Sequence, residues 1–112
     1  MSKALKHKDY LSLLAKSKQA KRRNLIIDLA NADEIKAVAE CILNVLLGNI
    51  TLTNKQVKKL KRHKKYMRLV AQKSFPSQKK KAILKQKGGF LPTLIPLALS
   101  ALGSVVPALL GK

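Results

Sequence analysis

The sequence predicts an all-α fold: a small bundle of about three to four short helices, a basic N-terminal arm and an apolar, proline-interrupted C-terminal tail. Three observations predict it. Apolar residues between Ile35 and Leu47 recur at helical spacing, and Thr53-Asn54-Lys55-Gln56 has the pattern of a capping box. The run Leu25-Ile26-Ile27-Asp28-Leu29 suits a helix or a strand, but no second strand is evident to pair with it. At 112 residues the chain has room for one small domain with tails.

Residues 1–23 read as the basic arm, partly helical. Tyr10, Leu11 and Leu14 share one face of a helix from about Asp9, an N-cap candidate, to Lys21, and Lys21-Arg22-Arg23 closes it with cations that suit a helix C-terminus. Residues 24–72 form the helical core. Its clearest element runs from about Asp33 to Leu47: Asp33 and Glu34 occupy the first turn, where acids favour the helix dipole. Ile35, Val38, Ala39, Ile42 and Leu46 then mark a buried face, which Leu43 and Leu47 widen. Gly48-Asn49 stops this helix, glycine supplying the left-handed conformation.

A basic helix spans 53–72, with Gln56 reaching back to the Thr53 amide. Val57, Leu60, Met67 and Val70 line one face, with His63 among them, and Ser74-Phe75-Pro76-Ser77 ends the helix. Residues 73–89 form a basic linker with a short helix, Gln78 to about Gln86, for which Ser77 is the cap and Gly88-Gly89 the end. In the tail, 90–112, Pro96 opens a helix from 97 to about 106, which Pro107 ends.

Charge is distributed very unevenly. Residues 1–48 carry nine Lys/Arg and five acids, 49–89 carry fourteen Lys/Arg and no acid, and 90–112 carry only Lys112, for a net charge of +19. Such a stretch recruits polyanion, nucleic acid or anionic lipid, because its self-repulsion has no internal answer. Lys55, Lys58, Lys59, Lys61, Arg62, Lys64, Lys65 and Arg68 cover most of the helix 53–72, and Lys79, Lys80 and Lys81 extend the series. These are the candidate contacts to the phosphate backbone of double-stranded DNA. Over 49–89 lysines outnumber arginines by twelve to two, which points to sequence-independent binding, since lysine is a point charge and arginine's fork reads guanine edges. The bland alternative is a solvated face that keeps the chain soluble. No tryptophan, two Phe and two Tyr argue against a single-strand reader built on aromatic platforms.

Enzymatic chemistry finds no support. Cys41 lies in the apolar helix with no base placed nearby, so it reads as a core residue. His63 has no partner at i+3 or i+4 and reads as a helix-face residue, while His7 sits in the basic arm. The five acids are scattered from Asp9 to Glu40. A single cysteine excludes an internal disulfide and a cysteine-rich zinc site. No catalytic residue, metal site or cofactor is expected. The N-terminus is basic but lacks the apolar core of a signal peptide.

Phe90 to Gly111 contains no ionisable side chain, and its prolines make it a poor spanning helix. Two uses are open to it: shallow insertion or docking in a hydrophobic groove, through Phe90, Leu91, Leu94, Ile95, Leu97, Leu99 and Leu102, or packing back on its own bundle as ordinary core.

At the charge boundary stands Gln86-Lys87-Gly88-Gly89-Phe90. Gly-Gly there suits a flexible hinge. The pattern Gln-x-Gly-Gly is also similar to the cleavage sites of the adenovirus maturation protease, which places a cut after Gly89. With the lysine-rich stretch Lys55–Lys87 and the tail beginning Phe90-Leu91-Pro92, it makes the second half of the chain resemble the small basic virion proteins of Polinton/Maverick elements and adintoviruses. In arrangement it resembles the adenovirus late core-peptide precursor. The core peptide is arginine-rich where this chain uses lysine, and residues 24–48 have no counterpart in it.

The resemblance implies a core or minor capsid protein that binds and condenses packaged double-stranded DNA. It implies residence in the virion interior, and in the host nucleus during assembly. An adenain-like protease is the implied processing partner, and a capsid protein or membrane the surface for the tail. Two other readings stay open: a tail-anchored or peripheral protein gripping anionic lipid, and a cellular lysine-rich chromatin-type protein.

Overall fold

Amphipathic stripes on several short helices favour a bundle in which a helix with a broad apolar face lies at the centre. The computed structural model describes residues 2–109, with side chains over 3–101, and is all-helical there. Among the described residues it has eight α-helices rather than three or four: α1 (Ser2–Lys6), α2 (Lys8–Lys16), α3 (Ala20–Asp28), α4 (Ala32–Leu46), α5 (Asn54–Lys61), α6 (Lys64–Ala71), α7 (Ser77–Lys87) and α8 (Leu91–Leu109). A 3₁₀ turn, Gly88–Phe90, joins α7 to α8.

The central helix is α4, which packs against α1, α2, α6, α7 and α8. Its start is doubly specified. The Asn31 side chain accepts the Glu34 N–H at 2.8 Å, and the Glu34 carboxylate accepts the Asn31 N–H at 2.9 Å. This capping box starts on Asn31, just ahead of the two acids. Ile35, Ala37, Val38, Ala39, Cys41, Ile42 and Val45 are buried, and Gly48 ends the segment at φ +77°.

The N-terminal region is not a free arm. Ala4, Leu11 and Leu14 are fully buried, the Ala4 N–H donates to the Glu40 carboxylate at 3.2 Å, and Lys3 pairs with Asp33 at 3.1 Å. The helix expected over 9–21 stops at Lys16, where the Ser17 hydroxyl donates to the Leu13 carbonyl at 2.9 Å and competes with the next helical turn. Asp9 lies in the first turn of α2 after His7 rather than at its cap. Lys21, Arg22 and Arg23 accordingly open α3 instead of closing α2, and Arg23 is buried with its guanidinium donating to the Lys18 carbonyl at 3.2 Å.

The tail departs furthest from expectation. Helix α8 runs through Pro96 and Pro107. Pro96 faces solvent, while Phe90, Leu91, Leu94 and Ile95 are fully buried and Ala98 nearly so. The helix packs against α2 and α4. That packing outweighs the cost of a missing backbone donor at Pro96. Of the residues expected to dock on another surface, these four belong to this protein's own core. Leu97 and Leu99 are half-buried, and the side chain of Leu102 lies outside the described residues. The second of the two uses of the tail is therefore the one found over residues 90–98. No helix among the described residues is long and apolar enough to cross a membrane.

Gly88 is buried as well. A Cβ there would meet the Leu91 side chain at 3.3 Å and Arg23 Nε at 3.6 Å, so the first glycine serves close packing rather than a flexible hinge. Gly89 faces open space.

Candidate nucleic-acid interface

The basic segment begins where the sequence places it. Thr53 Oγ1 accepts the Gln56 N–H at 3.2 Å, and the Gln56 side chain accepts the Thr53 N–H at 2.9 Å, which fixes the first turn of α5. The single helix expected over 53–72 is instead two. α5 ends at Lys61, the His63 N–H donates to the Leu60 carbonyl at 2.9 Å, and α6 starts at Lys64. An i→i−3 bond of this kind tightens and ends a helix. At the break the His63 ring lies against Phe90, centroids 5.2 Å apart. Leu60, Met67 and Val70 hold the two helices to the core, whereas Val57, expected on the same face, is 46% exposed.

The opposite side of α5, α6 and the turn between them carries Lys55, Lys58, Lys59, Lys61, Arg62, Lys64, Lys65 and Arg68, all exposed, with Arg62 in the turn. Neither helix contains an acid. Among the described residues none of the eight makes an ion pair: Asp33 is taken by Lys3, and Asp28 by Lys85 at 2.7 Å. The Lys3 hydrogen bond and charge hold the Asp33 carboxyl below its usual pKa, so this acid stays committed where it is. Lys87 lies over the Tyr66 ring, 5.4 Å from its centroid, at the edge of the surface.

The three cations expected on the next helix separate. Lys79 is exposed on α7. Lys81 is half-buried and donates to the Asp28 carbonyl at 3.1 Å, beside Lys85, so both serve the C-terminus of α3. Lys80 is only 5% exposed and points inward, which removes it from the outer surface. Helical spacing explains the split: three consecutive residues span most of a turn and cannot share one face. The Gln86, Gly88 and Gly89 of the expected cleavage site lie at the end of α7 and in the 3₁₀ turn, with Gln86 and Gly89 exposed and Gly88 buried.

Cys41 is 1% exposed, and burial pushes its thiol up to about 12, leaving it protonated and unreactive at neutral pH. No group of three His, Cys, Asp or Glu among the described residues could hold a metal ion.

His63 gives the fold a pH dependence. Burial, and then the Arg62 and Lys87 cations, lower its pKa below the ordinary histidine value of 6.5. As pH falls through 6.5 the unfolded chain takes up the proton first, so stability is full above that value and declines below it until the folded imidazole also titrates. Urea denaturation at pH 7.5 and 5.5 should show a lower midpoint at the acidic value, and the drop should shrink in His63→Gln.

Comparison with protein-family models, with curated proteins and with solved structures returns no match to this chain.

Proposed function

We propose that this protein binds and condenses double-stranded DNA without reading its sequence, as a core or minor capsid protein in the interior of a virion of the adenovirus-like type, and that it is not an enzyme. One observation carries the reading: eight exposed cations, seven on α5 and α6 and Arg62 in the turn between them, with no acid on either helix and no ion pair to any of them among the described residues. Each such cation that meets a phosphate releases condensed counterions, a gain that a cation already paired with a carboxylate does not make. Lysine dominates the set, which favours backbone contact over base readout.

The burial of Phe90, Leu91, Leu94, Ile95 and Ala98 constrains the rest of the proposal. A cut after Gly89 by an adenain-like protease would sever the chain at an exposed glycine but leave α8 held by its apolar packing. Docking on a capsid protein, or disturbance of a membrane, through Phe90, Leu91, Leu94 and Ile95 then requires α8 to leave the core. DNA binding does not.

The sequence-blind part of the reading is tested with two duplexes of equal length, one AT-rich and one GC-rich, titrated by fluorescence anisotropy. Equal affinities within about twofold are expected, because a phosphate contact carries no base information. A preference of about tenfold, the size of a single base-pair mismatch in a specific site, would contradict it.

A further inference from the structure

A second concentration of positive charge lies on neither α5 nor the exposed side of α6. Between α1, α4, the α6–α7 connection and the start of α7 is a cavity of about 380 Å³, lined by Lys3, Lys36, Lys73, Lys80 and Ser77, with Glu40 the one acid on its wall. The Glu40 carboxylate accepts the Ala4 N–H, and Lys3 is engaged by Asp33. Lys80 differs from both. It is only 5% exposed, lines the cavity, and among the described residues its ammonium has no hydrogen-bond or ion-pair partner. Its stem is packed away while its ammonium opens on the cavity without a counter-charge, and partial burial and the neighbouring Lys36 press its pKa below the ordinary lysine value.

The start of α7 adds to the imbalance. Its cap residue is Pro76, which has no side-chain acceptor, and Ser77, the expected cap, is instead the first helical residue. No side chain caps the helix and its first turn contains no acid, so free N–H groups and the positive end of an eleven-residue helix stand beside Lys80.

We propose that this cavity is a binding site for a phosphoryl group, with Lys80 on its wall as the counter-charge, Lys36 and Lys73 at its mouth, and the first turn of α7 supplying backbone donors. Helix N-termini and lysines bind phosphate by this combination of aimed N–H groups and point charge. The same chemistry is presented by a free phosphomonoester and by a backbone phosphate of DNA. A concave cavity of this volume suits the former, since pockets for small ligands begin at about 300 Å³.

The test uses the full chain, with inorganic phosphate and adenosine 5′-monophosphate as probes against chloride at matched ionic strength. Phosphate should raise the melting temperature above that in chloride and broaden its ³¹P resonance on titration. Lys80→Met should melt higher than wild type in chloride, having lost an unpaired, partly desolvated charge beside Lys36, and should lose the phosphate-specific increment. Lys73→Gln, at an exposed position, should weaken phosphate binding several-fold without altering the chloride melt, and Lys21→Gln on α3, of equal charge change, should leave binding as it is. An equal phosphate increment in wild type and Lys80→Met would overturn the site, as would equal weakening by Lys73→Gln and Lys21→Gln. Adding duplex separates the sources: displacement of bound phosphate assigns the site to a DNA backbone phosphate, and an unchanged ³¹P signal assigns it to a small phosphorylated molecule. Both keep the site.

Discussion

Truncation after Gly89 is expected to abolish cooperative folding. Phe90, Leu91, Leu94 and Ile95 are each fully buried, and Ala98 is 1% exposed. Burying a large apolar side chain contributes about 1.5–3 kcal/mol, so the four larger residues together contribute about 6–12 kcal/mol. That is comparable with the whole stability of a small domain, about 5–15 kcal/mol. Removing them also uncovers the faces of α2 and α4 against which α8 packs, and takes away the ring that His63 lies against. A thermal scan by circular dichroism should show a sigmoidal transition for the full chain and a broad, non-cooperative loss of helix for residues 1–89. Adding the peptide 90–112 in excess should restore part of the transition, because apolar packing holds α8 in place whether or not the chain is continuous. A fragment 1–89 that melts sigmoidally within a few degrees of the full chain would show that α8 is not part of the stable core.

The second large effect is on binding. Replacing Lys58, Lys59, Arg62 and Lys65 together by Gln should weaken association with duplex DNA alike for every sequence. If all four contact phosphate, the slope of log K against log salt should flatten by roughly 3.6, at about 0.9 for each contact removed. All four are exposed and make no ion pair among the described residues, so the fold should survive the change with its melting temperature nearly intact. Relief of mutual repulsion among neighbouring cations would, if anything, raise it. An unchanged slope would remove α5 and α6 from the interface.

Much of this architecture is legible in the residues, and the misreadings have physical causes. The interior of α4 from Ile35 to Ile42, its glycine stop and the capping box at Thr53 follow from local rules that tertiary packing does not override, whereas Leu43 and Leu46 are half-buried and Leu47, expected to widen that face, is 65% exposed. The all-α class follows with them. The breaks at Ser17 and at Arg62-His63 do not follow. One depends on a hydroxyl turning back to the Leu13 carbonyl, the other on a ring finding Phe90 far along the chain, and periodicity carries no sign of either. The tail is the harder case. An apolar segment without charges fits a membrane, a partner or the chain's own core equally well, and only the presence of complementary apolar faces on α2 and α4 decides among them.

The candidate interface shows the same division. The eight cations of α5, α6 and the turn between them are outward because Leu60, Met67 and Val70 among them are inward, an alternation visible in the sequence. The places of Lys80 and Lys81 depend on the actual rotation of α7, set by Leu84 in the core and Asp28 at the end of α3. The inward cavity is almost invisible in the residues, since distant segments assemble it. Its one local signal is the acid-free first turn that follows Pro76.

The most direct test of the central claim is the affinity of the full chain for random duplex DNA and for anionic vesicles across one salt series. DNA binding that falls steeply with salt, with a slope reporting several phosphate contacts and exceeding vesicle binding at every concentration, is the expected result. Weak, salt-insensitive DNA binding beside strong vesicle binding would contradict it and make the basic surface a lipid-facing one.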